Sequence, residues 1–102
     1  MKYLLLVPLL VFPGIAAAQT QPMVGEGQRI AKQWCANCHM VSRDMPPPAS
    51  DAAPSFPAIA AMSTTTETGL RVFLQTPHSN MPHYQLSRGE TDAVVAYLLS
   101  LR

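Results

Sequence analysis

A chain of 102 residues with seven basic and six acidic side chains and a net charge of +1 has room for one small domain and no charge excess suited to nucleic acid. Beyond residue 18 the basic and acidic side chains balance. That leaves only a local patch, and no overall field, to steer a partner.

The N-terminus reads as a processing signal. Lys2 supplies a positive start, Tyr3 to Ile15 forms an apolar run interrupted by Pro8 and Pro13, and Ala16-Ala17-Ala18 offers the small residues a signal peptidase requires. The run is 13 residues long, short of the ~20 that span a bilayer as a helix. Residues 1–18 are therefore expected to be a cleaved secretory signal and 19–102 a domain exported to the periplasm, with no stable membrane insertion. A domain of this size has a marginal core unless a staple, metal or cofactor adds to it.

Gln19 to Val24 reads as a polar, mobile lead-in. Gly25 to Cys38 suits a helix whose apolar face carries Ile30, Ala31, Trp34 and Cys35. Gly27 and Ala31, four apart, would let another helix approach closely. The helix ends in Cys35-Ala36-Asn37-Cys38-His39, which holds both cysteines of the chain. Two thiols at this spacing can each form a thioether to a haem vinyl group, and the following imidazole then lies against the iron. A redox dithiol and half of a zinc site are the competing readings. The first usually sits in a βαβ context, which the helical flanks do not offer, and the second lacks further cysteine ligands.

Met40 to Ala53 reads as a loop, since Pro46-Pro47-Pro48 favours an extended run. Pro54 to Met62 suggests a turn and a short helix burying Phe56 and Ile59. Thr64-Thr65-Thr66-Glu67 reads as a capping box with Thr64 at the N-cap, opening a helix with Leu70, Val72, Phe73 and Leu74 that Pro77 ends. Ser87-Arg88-Gly89-Glu90 is a second capping box, before a helix over Thr91 to Leu101. Its stripe of Val94, Val95, Tyr97, Leu98 and Leu101 is expected to face Gly27 and Ala31. No strands, repeats or second domain are predicted.

If His39 takes one face of the iron, the opposite face needs a second donor. Met40 starts on the wrong face, Met23 and Met45 sit in segments with nothing to hold them rigidly, and Met62 reads as core filler. Met81 lies in His78-Ser79-Asn80-Met81-Pro82-His83, a non-helical loop between two capped helices, with Pro82 biasing it away from helical geometry. His78 and His83 remain alternatives on these local features.

Together, Gly27 and Ala31 ahead of Cys35-Ala36-Asn37-Cys38-His39, then Asn80-Met81-Pro82, then Leu86-Ser87 and Asp92 to Leu98 resemble the small class I bacterial cytochromes c. The resemblance spans nearly the whole segment after residue 18. It implies an all-α class I cytochrome c fold around one covalently attached haem c. Cys35 and Cys38 would carry the haem, with His39 and Met81 as axial ligands. Pro54 would accept the ring N–H of His39, and Gly27 would cross the last helix at Tyr97. The Pro54 segment lacks the family's frequent glycine, and the triple proline is unusual.

A haem gripped from both faces has no open coordination position, so the expected act is transfer of one electron, not catalysis. The partners implied are redox proteins: a dehydrogenase or membrane complex, and an oxidase or reductase. The alternatives are a dedicated subunit of an oxidoreductase complex, a haem enzyme or gas sensor with a labile sixth ligand, and a periplasmic dithiol oxidoreductase.

Overall fold

The computed structural model describes residues 8, 10, 15–48, 53–77 and 80–102, with the backbone alone for 15–22. Most of the expected signal, and His78, lie outside the described residues. The described chain folds into α1 (Ile15–Ile30), a π-helical turn (Ala31–Cys35), α2 (Phe56–Ala61), α3 (Glu67–Gln75) and α4 (Arg88–Leu99). No strand forms among these residues, as the all-α expectation required. No helix among them is long and apolar enough to cross a membrane.

The first helix departs from its expected bounds in two ways. It begins well before Gly25, so 19–24 is helical in the full chain and not a mobile lead-in. At its other end the helix does not continue to Cys38. The N–H of Ala36 bonds the carbonyl of Ala31 at 3.0 Å, a five-residue step that widens the last turn, and such bulges are frequent at functional sites.

α1 and α4 make the dominant packing of the fold. Gly27 sits at their crossing: a Cβ there would overlap the Ala93 carbonyl and stand 2.8 Å from the Tyr97 Cβ. The expected contact between the α4 stripe and the Gly27 surface is thus present. Val94, Val95, Tyr97 and Leu98 are buried, and Leu101 is partly so. Ala31, Val41, Phe56, Ala60, Tyr97 and Leu98 form one core cluster, while Ile30, Ala93 and Val94 form a second beneath Leu74 and Leu86.

The Ser87–Glu90 box closes as expected. The Glu90 N–H donates to the Ser87 hydroxyl at 3.1 Å, and the Ser87 N–H donates to the Glu90 carboxylate at 2.8 Å. The helix it caps starts at Arg88 and ends at Leu99, both earlier than expected. The other cap is displaced. Thr66, not Thr64, caps α3 by accepting from the Gly69 N–H at 3.0 Å, which makes Glu67 the first helical residue. Thr65 causes the shift: it is buried and donates its hydroxyl to the Ile59 carbonyl at 2.6 Å, so the chain is still tied to α2 at that point.

Three further expectations change. Met62 is half exposed, not core filler, because it ends α2 in an extended conformation while Ala60 takes the buried position. Met45 is held after all: its sulfur accepts the Val41 N–H at 3.1 Å, and it packs on the main cluster. Ile59 is only partly buried. The far end of α4 is pinned by arginines, with Arg102 donating to the Ala60 and Thr65 carbonyls and Arg43 to that of Leu101. Arg71 pairs with Glu67 on α3 and with Asp92 on α4, joining the two helices.

Candidate functional site

Past the π turn the backbone tightens, and the N–H groups of Cys38 and His39 both bond the Cys35 carbonyl, at 3.1 and 2.9 Å. This compact turn fixes the three motif side chains relative to one another. Cys35 and Cys38 are unpaired, Cys35 partly buried and Cys38 exposed. Burial pushes the Cys35 thiol up to about 11. A dithiol oxidoreductase needs the opposite, a thiolate favoured near neutral pH. Among the described residues no group of three or more His, Cys, Asp or Glu side chains could hold a metal ion.

The His39 ring is held on two sides. Its Nδ1 lies 2.6 Å from the Pro54 carbonyl. A carbonyl can only accept, so Nδ1 carries the hydrogen and the lone pair of the neutral ring is on Nε2. That is the arrangement in which an outer partner orients a metal-binding imidazole and raises its basicity. Phe56 packs against the same ring with centroids 5.4 Å apart. Backbone pairing supports the whole segment: the Phe56 N–H donates to the Met40 carbonyl at 2.9 Å, and the Tyr97 hydroxyl to the Val41 carbonyl at 2.6 Å. Residues 39, 40 and 41 are thus each anchored, the first two to 54–56 and the third to α4.

A mostly apolar cleft is lined in part by Cys35. Sites that take cofactors are mostly apolar in the same way. Ile30, Leu74, Leu86 and Val94 line the cleft, together with Cys35 and Met81. Asn80, at φ 64°, takes the left-handed conformation just before Met81, one that Asn adopts more readily than most residues. The sequence-predicted residues therefore fall into two groups. Cys35 and Met81 share the cleft, and His39 and Pro54 meet beside it. His83 also lines the cleft and stays in reach as an alternative donor.

Sequence reasoning missed two aromatic residues here. Trp34 was expected on the buried face of the first helix, yet it is 44% exposed and stands against Tyr84, centroids 5.3 Å apart. Both line the cleft. The available signal was position: one precedes Cys35 and the other follows Met81 by three residues.

Residues 22–98 match the family described as cytochrome c oxidase, cbb3-type, subunit III. The chain belongs to the cytochrome c family. It is also 40% identical over 78 residues to cytochrome c-552 of Bradyrhizobium diazoefficiens, covering 76% of this chain and 74% of that protein. No solved structure matches it. As a small monohaem c-type cytochrome it is a haem-bearing electron carrier and not an enzyme.

The residues present fit such a group. Two unpaired thiols are available, Cys35 among them lining an apolar cleft; an imidazole is held with its Nε2 lone pair free, and the Met81 thioether lines the same cleft. An apolar lining gives the macrocycle the dry shell that a haem pocket uses to set its potential.

Proposed function

We propose that this cytochrome is a periplasmic one-electron carrier, with a single haem c tethered by Cys35 and Cys38 and ligated by His39 and Met81. Residues 1–18 serve as the cleaved signal, and 19–102 are the working domain. The observation that carries the reading is the His39–Pro54 bond, which leaves one ring nitrogen committed and the other free as a ligand. The cleft that Cys35 and Met81 both line supports it.

Bound haem supplies a single iron that cycles between ferrous and ferric states. The chain does the rest. Pro54 holds the His39 ring in one tautomer and orientation. Ile30, Leu74 and Val94 exclude water from the ring's surroundings and so favour the less charged ferrous state. The Met81 thioether also favours ferrous iron and raises the potential. His39 and Met81 would be the two protein ligands of the haem iron, which would leave no position for a reacting small molecule. Partners dock briefly through a small interface, as transient redox encounters do.

Absorption spectra of the purified holoprotein test the ligand set. The oxidised protein should show the weak long-wavelength charge-transfer band of thioether ligation, and Met81→Ala should abolish it. Persistence of the band in that variant removes Met81 from the iron. Mass analysis of the exported protein should place its first residue at Gln19.

A second reading, favoured by the family description, makes the chain a dedicated subunit of an oxidase complex. The half-exposed Met62 at the end of α2 would then belong to a partner surface. Stable co-purification with a larger enzyme through detergent extraction and gel filtration distinguishes this from a free carrier.

A further inference from the structure

We infer that the Trp34–Tyr84 contact is a clasp that positions Met81, holding the 80–84 loop onto the Cys35 turn and so controlling access to the sixth coordination position of the haem. The inference rests on the ligand set proposed above.

Both ends of the clasp are rooted in fixed structure. Trp34 projects from the π turn directly before Cys35, and Ile30, one turn back, is buried in the second core cluster. On the other side, Tyr84 is followed by Leu86, whose N–H bonds the Tyr84 carbonyl at 2.9 Å and whose side chain packs on that same cluster. Ser87 then begins α4 with a closed capping box. Upstream, α3 ends at Thr76, whose hydroxyl donates to the Val72 carbonyl at 2.7 Å. Met81 is carried on the chain between Thr76 and Tyr84, and the ring contact is the point where this stretch meets the Cys35 segment.

The contact is made for release as well as for holding. Trp34 is 44% exposed and Tyr84 is partly buried. The rings are tilted by 42° with centroids 5.3 Å apart, within the range where aromatic pairs attract beyond their burial. Such a pair shifts an open–closed loop equilibrium by about tenfold. His83, next to Tyr84 in the chain and lining the same cleft, would be the imidazole nearest in sequence to the position the thioether leaves when the loop opens.

The test uses the holoprotein and five variants: Trp34→Leu, Tyr84→Leu, the double leucine variant, Tyr84→Phe and Met81→Ala. The readout is carbon monoxide binding by the reduced protein at neutral pH, with thermal unfolding followed separately. Each single clasp variant should bind carbon monoxide about tenfold faster than the native protein. The double variant should be no faster than either single, because the two rings form one contact. Tyr84→Phe, which keeps the ring, should bind at the native rate. Native rates in both single variants overturn the clasp, as does a double variant equal to the product of the singles. Should Met81→Ala also bind at the native rate, the ligand assignment falls and takes the clasp with it; fast binding in Met81→Ala with native rates in the clasp variants refutes the clasp alone. If one leucine variant does not fold, the other single variant and Tyr84→Phe still decide the matter.

Discussion

The Tyr97 hydroxyl donates to the carbonyl of Val41, 56 residues away in sequence, through a buried bond of 2.6 Å. It joins the last helix to the segment that carries His39. Tyr97 also packs tilted against Phe56 with centroids 6.4 Å apart, and Phe56 against His39 at 5.4 Å. Helix packing and the placing of the imidazole are therefore one problem in this fold. Tyr97→Phe keeps the ring contacts and deletes only the donor. The Val41 carbonyl is left buried without its partner, so urea unfolding should show a loss of ~1–3 kcal/mol with an unchanged slope.

The same hydroxyl predicts a pH dependence. Burial pushes the Tyr97 pKa above its ordinary value, Asp44 adds to the rise, and a hydrogen bond with Gln28 opposes it. A group whose folded pKa is raised contributes stability that is fully present below the unfolded value, ~10 for Tyr. The contribution is lost as pH climbs from there through the folded pKa. The melting temperature should accordingly fall above that pH, and the fall should be shallower in Tyr97→Phe.

Gly27 is where α1 and α4 approach most closely. A methyl group there meets the Ala93 backbone, which cannot rotate away. Gly27→Ala should cost ~3 kcal/mol or more, at the upper end of overpacking effects. Gly89 lies in α4 with nothing within 4 Å of where an added methyl would stand, so Gly89→Ala should instead stabilise by up to ~1 kcal/mol. Thermal melts of the two variants, moving in opposite directions, check the geometry of the crossing.

The caps give a sharper comparison. Ser87→Ala and Thr66→Ala should each lose ~1 kcal/mol, the usual worth of an N-cap hydroxyl. Thr64→Ala should stay within ~0.5 kcal/mol of the parent, as exposed substitutions do. A loss at Thr64 equal to that at Thr66 would restore the cap position that the sequence pattern suggested.

Thr91 is buried in α4, and its hydroxyl has no hydrogen-bond partner. Replacing an unsatisfied buried hydroxyl by an isosteric methyl removes a cost without opening a hole. Thr91→Val should leave the protein as stable or raise its melting temperature.

Local signals carried much of this structure. The Cys35–His39 motif, the Ser87–Glu90 box and the Gly27 crossing all depend on residues close in sequence or on a single helical period, and each stands where the pattern placed it. What the pattern missed was decided by distant partners. Thr65 is claimed by the Ile59 carbonyl, which moves the α3 cap by two residues. Met45 is fixed by the Val41 N–H, a bond that no hydropathy pattern announces. Trp34 has the composition of a core residue, yet it turns outward because Tyr84 meets it at the cleft mouth. Met62 reads as apolar filler until the end of α2 turns it to solvent. His39 and Pro54 were paired by resemblance alone, and the fold brings them to 2.6 Å.

The central claim is that Cys35 and Cys38 hold one haem on this chain. It is tested most directly by denaturing the protein purified from a host competent for cytochrome maturation and measuring its haem in alkaline pyridine. Haem that stays with the polypeptide after acid–acetone extraction, in equal molar amount and with no titratable thiol, is the expected result. A colourless chain with both thiols free contradicts the account.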